Sequence, residues 1–179
     1  MKVIRIHEFG GEKVLRYEEV EMPQPGPGEA LLKLEAAGVN FIDTYQRNGI
    51  YPVDLPFVLG MEGGGLVEAV GEGVTAVLPG DRVVFAMQTG AYAEYIVVPA
   101  WKLAHVPNEI SIETATAVML QGMTAHYLSH STYPIKRDDV VLIHAAAGGT
   151  GLLLVQMAKR RGATVIGTTS TNEKAALAK

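Results

Sequence analysis

The chain has no cysteine. That absence excludes disulfides, thiolate nucleophiles and the cysteine-rich zinc sites, and it permits a reducing compartment. Long apolar runs are also missing. The longest, such as "ATAVML" and "LLLV", fall far short of the ~20 residues that a membrane span requires. The N-terminal "MKVIRIHEFGG" is charged and strand-like and lacks the apolar centre of a signal peptide. There is no excess of positive charge, because 15 Lys and Arg face 19 Asp and Glu for a formal net charge of −4. Nucleic acid and anionic membrane are therefore not expected partners. The basic runs "IKRDD" and "AKRRG" read as solvated faces beside a turn and at a helix end. No Ser-His-Asp set or carboxylate pair is legible, which argues against a hydrolase. What remains is an expected soluble, cytoplasmic protein. Its 179 residues, 48% hydrophobic, suit one globular domain or one domain with part of a second.

What is abundant is glycine, at 20 residues, joined by 9 prolines and concentrated with them before His105. In that half, short apolar segments alternate with turn signals, and it reads as β. The candidate strands are "KVIRIHE", "VLRYEEV", "EALLKLEAAGV", "GLVEAV", "DRVVFA" and "AYAEYIVVP". Alternation is clear in the first and from Ala30 to Ala36, predicting a small barrel or sandwich with one wet face. After Pro107 the character changes. "SIETATAVMLQGMTAHYLSHST" has Ser111, Glu109 and Glu113 near a helix start and apolar residues at helical spacing. An interruption at Gly122 predicts two consecutive helices or one kinked helix. "DDVVLIHAAAGGTGLLLVQMAKRRGATVIGTTST" then reads as strand, glycine-rich turn, helix and second strand. This is a βαβ unit, so the class is α/β, with the division expected near Gly122: residues 1–121 and 122–179.

The apolar run "VVLIHA" predicts a strand buried on both faces of a parallel sheet. The following helix shows Leu152, Val155, Gln156 and Lys159 over successive turns. Between them a dinucleotide site asks for G-x-G-x-x-G, so that backbone approaches the pyrophosphate and helix N–H groups receive it. Those places hold Ala146, Gly148 and Gly151, with Gly149 added. Nucleotide binding is the reading; the bland alternative is that these glycines only permit close helix–strand packing. An NAD site usually ends its second strand in Asp or Glu. Here Thr168, Thr169, Ser170 and Thr171 come first, with Glu173 and Lys174 after them. Hydroxyls and an ammonium suit a 2′-phosphate, so NADPH is expected over NADH. The alternative for Lys174 is an exposed charge in a new helix.

The β half also contains "GMEGGGLVEAVGEGV". Gly60, Glu62, Gly65, Gly71 and Val74 fit a G-H-E-x-x-G pattern resembling the zinc alcohol dehydrogenase signature of the medium-chain dehydrogenase/reductase superfamily. Met61 stands where that signature has its ligand His, and Asn40 in "GVNFID" stands where the first ligand Cys is expected. A thioether and a neutral amide are poor zinc ligands. The four-Cys lobe of the zinc enzymes is absent as well. His126 and His130 are four residues apart on a helix but have no third ligand, and His144 reads as a hydrogen-bonded, half-buried side chain rather than a base.

"DDVVLIHAAAGGTGLLLVQMAK", "GVNFIDTYQRNGIYP" and "QGMTAHYL" together resemble the zinc-independent quinone oxidoreductases of the zeta-crystallin type, with similarity along essentially the whole chain. Thr150 departs from the usual Val of that family's "GGVG". The resemblance implies a GroES-like, mostly β catalytic domain followed by the first βαβ of a Rossmann domain, a doubly wound parallel sheet, with NADPH in the cleft between them. It implies that Asn40, Phe41, Asp43, Thr44 and Tyr45 line the nicotinamide end, which Thr124 and Tyr127 approach from the connecting helix. It implies further that Gly148, Gly149, Thr150 and Gly151 meet the pyrophosphate. By the same resemblance Ser170, Thr171 and Lys174 are expected to hold the 2′-phosphate. Asn40, Tyr45 and Tyr51 are the expected positioning groups, with both phenols flanking a quinone; the alternative for the tyrosines is turn packing beside Pro52. Family members continue beyond this length, so the chain is expected to be a fragment, inactive alone, of a homodimeric quinone reductase. The enzymatic alternative is an enone or enal reductase. The alternative of another class is a non-enzymatic binding or structural role.

Overall fold

Alternating inward side chains build the first strands of the protein. A computed structural model describes residues 1–179. In chain order it contains β1 (Lys2–Ile6), β2 (Arg16–Glu19), β3 (Glu29–Ala37), α1 (Phe41–Asn48), β4 (Phe57–Val58), β5 (Glu62–Val70), β6 (Arg82–Ala86), β7 (Tyr95–Pro99) and β8 (Ala104–His105). Then follow α2 (Ile112–Tyr127), β9 (Val140–Ile143), α3 (Gly149–Arg160), β10 (Thr164–Gly167) and α4 (Asn172–Ala178). Contacts divide the chain into two compact units, Met1–Leu120 and Gln121–Lys179, so the division falls inside α2.

The first unit holds two antiparallel sheets, of order β2-β1-β4 and β7-β3-β5-β6-β8. Residues two apart reach the same face of a strand. Accordingly Ala30 and Leu32 of β3, Val83 and Phe85 of β6, and Ile96 and Val98 of β7 meet in one core with Val67 and Val77. Burying each larger member stabilises the unit by ~1.5–3 kcal/mol. The pairing of β3 with β5 slips at Leu31/Leu32 and Leu34/Ala36, next to the glycine run of β5. Arg82 on β6 donates to the carbonyls of Pro107 and Ile110 at 3.1 and 2.6 Å, which ties the lead-in of α2 to the sheet. Ser111 Oγ then accepts the Thr114 N–H at 3.2 Å and caps that helix, as its position predicted.

Three expectations are corrected. The first half is not β alone, because α1 occupies Phe41–Asn48. Of the two readings at Gly122, two separate helices is excluded, because the helix after Ser111 is continuous there. It runs through to Tyr127, since one interior glycine costs only ~1 kcal/mol, and the irregularity comes later as a π-helical turn at Leu128–Thr132. β9 is not covered on both faces. Val141 and Val165 pack on Ile135, Ala158 and Ala163. The opposite face leaves Val140, Leu142 and Ile166 exposed. β9 and β10 pair in parallel across α3, and this βαβ is the core of the second unit. No helix is long and apolar enough to cross a membrane.

Candidate functional site

Asn40 opens α1 from an extended backbone and forms a capping box with Asp43. The Asp43 Oδ2 accepts the Asn40 backbone N–H at 2.8 Å and the Tyr92 hydroxyl at 2.7 Å. Asp43 is buried, and it holds the start of the helix. Burial, and after it the bond to Asp43, push the Tyr92 phenol well above its ordinary range. Thr44 Oγ1 donates to the Phe41 carbonyl at 2.7 Å, while the Phe41 ring is 81% exposed. Tyr45 and Tyr51 meet edge to face with ring centroids 5.4 Å apart, and the Tyr51 N–H donates to the Tyr45 carbonyl at 3.1 Å. Both rings keep exposed area. The α1 segment thus offers two aromatic edges, two phenols and an exposed phenyl, which suits a flat, partly polar ligand.

Behind this segment stands a residue that the motif contained but whose role went unread. Glu62 is buried, and its two oxygens accept from Asn40 Nδ2 at 2.8 Å and from the Leu120 N–H at 2.7 Å. Met61 is also buried and takes a contact from Gln46 Nε2 at 3.8 Å. The two positions at which a zinc relative carries ligands are thus engaged as an amide bonded to Glu62 and a thioether against Gln46.

In the second unit, β9 leads through a turn at Ala145, with φ of 50°, into Gly148, the N-cap of α3. No side chain caps α3 and its first turn holds no acidic residue. The N–H groups of Gly149, Thr150 and Gly151 have no place in the helix ladder, whose first bond runs from the Leu152 N–H to the Gly148 carbonyl at 2.8 Å. A Cβ at Gly151 would overlap the Ala145 carbonyl oxygen, and one at Gly149 would overlap the Gln121 carboxamide. The glycines therefore serve close packing, and the helix start they form fits an anion such as pyrophosphate. After β10, Thr171 caps α4 by accepting the Lys174 N–H at 3.2 Å. Ser170 and Lys174 are exposed. Glu173 is held below the usual carboxylate range by its own backbone N–H and then by Thr171. Thr124 is half-buried on α2, and Tyr127 at its end is half exposed.

His126 and His130 stack with centroids 4.1 Å apart, and no group of three potential ligands exists. His144 is exposed rather than half-buried, and its Nδ1 lies 3.1 Å from Thr168 Oγ1.

Residues 26–108 match the alcohol dehydrogenase GroES-like domain. A quinone oxidoreductase of Pseudomonas aeruginosa is 48% identical over 180 residues, covering 99% of this chain and 55% of its own. A 2-haloacrylate reductase of Burkholderia is 46% identical over 181 residues, covering 97% of this chain and 54% of its own. The crystal structure of Escherichia coli quinone oxidoreductase complexed with NADPH superposes with a TM-score of 0.97 at 45% identity, over 99% of this chain and 55% of that one. These likenesses define the class: a GroES-like, mostly β domain followed by the first βαβ of a Rossmann domain, in the medium-chain dehydrogenase/reductase superfamily. Within that superfamily the chain is similar over nearly its whole length to quinone oxidoreductases. It spans about half the length of the curated relatives it matches.

Proposed function

We propose that this chain is the catalytic and cofactor-receiving part of an NADPH-dependent quinone reductase that works without zinc. The observation that carries the reading is the uncapped start of α3 behind parallel β9, followed by a β10 end with no acid before Glu173. Gly148, Gly149, Thr150 and Gly151 would receive the pyrophosphate, and Ser170, Thr171 and Lys174 the 2′-phosphate. Thr171 accepts as a cap, which leaves its O–H free to donate. Asn40, Phe41, Thr44 and Tyr45, with Thr124 and Tyr127, would line the nicotinamide end, with Asp43 supporting Asn40 from beneath. NADPH, when bound, supplies the reducing equivalents. Tyr45 and Tyr51 orient the quinone by ring contact and by donating to its oxygens. The engagement of Asn40 with Glu62 and of Met61 with Gln46 supports zinc independence. We assign the GroES-like domain to 1–121 and the Rossmann part to 122–179, and a cytoplasmic homodimer as the working form, on family resemblance.

The Burkholderia relative, named for reduction of a 2-haloacrylate, favours a second reading, an NADPH-dependent reductase of activated C=C bonds. One experiment separates the two. The full-length protein is assayed for NADPH oxidation with benzoquinone, a naphthoquinone, a 2-alkenal and 2-chloroacrylate, with chelator present. Quinone-dependent turnover is expected. A need for added zinc, or NADPH consumption that is the same without quinone, overturns the proposal; preference for the alkenal or haloacrylate moves it to the second reading.

A further inference from the structure

The buried carboxylate that bonds the Asn40 side chain has no cationic partner. Glu62 is 1% exposed and joins no salt bridge; Asn40 Nδ2 and the Leu120 N–H occupy one oxygen each. Burying a carboxylate is costly, and neutral N–H donors offset that cost only in part. An apolar residue of similar volume would hold β5 against α2 more cheaply. The surroundings are nonetheless cut to admit the carboxylate, because a Cβ at Gly38 would overlap Glu62 Oε1. A carboxylate only accepts, so it dictates which end of the Asn40 amide faces it. The NH2 turns to Glu62, and the oxygen turns to the α1 cap.

We propose that Glu62 is a positioning residue: a two-acceptor clamp that sets the orientation of the Asn40 carboxamide and pins the start of α1 to α2 through the Leu120 N–H. This rests on the reading of Asn40 and α1 as the nicotinamide-facing segment. The polarity of the clamp makes a specific demand. Two donors need two acceptors, and a carboxamide at position 62 supplies one acceptor and one unwanted donor.

The test uses the full-length protein with NADPH and one fixed quinone, and compares wild type, Glu62→Gln, Asn40→Asp and the double variant. Glu62→Gln is expected to lower kcat about tenfold while the NADPH KM changes little, because the phosphate contacts lie on other residues. Asn40→Asp sets two carboxylates together and is expected to be impaired as well. In the double variant the introduced carboxamide donates to the introduced carboxylate and still accepts from Leu120, so kcat is expected to rise above that of Asn40→Asp alone. Wild-type kcat in Glu62→Gln overturns the proposal. So does a loss confined to thermal stability, with kcat per folded molecule unchanged, or a double variant no better than Asn40→Asp alone. Should Glu62→Gln fail to fold, recovery of folding and turnover in the double variant supports the clamp, and failure to recover overturns it. A wild type that neither binds nor oxidises NADPH overturns the functional reading itself and takes the clamp's role with it. That case is recognised because wild type is then inactive.

Discussion

The Tyr92 hydroxyl and the Asn40 backbone N–H share one oxygen of Asp43, at 2.7 and 2.8 Å. This joins the loop before β7 to the first turn of α1, so the stability of the candidate site depends on a phenol that sequence motifs do not mark. Tyr92→Phe is expected to destabilise the protein by about 1 kcal/mol, read as a lower urea midpoint at pH 7. Burial and the Asp43 bond raise the folded pKa of this phenol above the unfolded value of 10.0. Its contribution is therefore fully present below the unfolded value and is lost as pH rises toward the folded one. The gap between wild type and Tyr92→Phe should narrow in urea titrations carried above pH 10. A gap that is constant with pH would mean that the phenol acts by packing alone.

Gly151 lies against the Ala145 carbonyl with no room for a Cβ. Gly151→Ala should force the turn before α3 open at a cost of ~1–3 kcal/mol, and NADPH affinity should fall with stability. Fluorescence titration with NADPH and thermal unfolding, done on the same sample, check both. Unchanged NADPH affinity would show that the anion is received elsewhere.

The exposed Lys174 should matter for one cofactor and not the other. Lys174→Ala removes a charge-assisted contact worth ~1.5–3 kcal/mol, about one to two powers of ten in NADPH affinity, and leaves NADH unaffected. Ser170→Asp should weaken NADPH while NADH gains, since a carboxylate repels the 2′-phosphate and accepts from a free 2′-hydroxyl. The readout is the ratio of kcat/KM for the two cofactors at one ionic strength. Equal losses for both would assign Lys174 to the helix α4 alone.

Tyr51 presents its phenol beside Tyr45 while the two rings support each other edge to face. Tyr51→Phe keeps the ring contact and removes one donor, so kcat/KM for quinone should fall ~2–10-fold with the NADPH KM unchanged. Tyr51→Ala removes both and should fall further. If Tyr51→Ala matches wild type with every quinone tried, the tyrosines pack the turn beside Pro52 and do not meet substrate.

The elements that were legible in the sequence carry their signal locally. Alternation from Ala30 to Ala36 and the apolar segment "DRVVFA" became β3 and β6, with Leu32 and Phe85 in the core. The sequence order around Gly148 to Gly151 became a strand, turn and helix start. α1 is hard to read because "FIDTYQRN" is short and has only Gln46 and Arg47 as strong helix formers, and the signal that identifies it is the Asn40–Asp43 box at its start. At Gly122 the two-helix alternative is not realised, since a helix packed along its length tolerates one glycine.

Residue type alone determined that the chain has no thiol chemistry, that its zinc-ligand positions hold an amide and a thioether, and that β10 ends in hydroxyls without an adjacent acid. Each follows from which atoms a side chain owns, and no fold is needed to know it. Only the tertiary structure decided which of those atoms are free to act. Asp43 was turned inward to Tyr92, Thr171 was turned onto Lys174 as a cap, and Glu62, 58 residues before Leu120 in sequence, was closed on that residue's N–H and on Asn40. Hydrogen bonds saturate, and their partners here come from distant segments whose approach is set by sheet register and helix packing. Local sequence does not encode that approach.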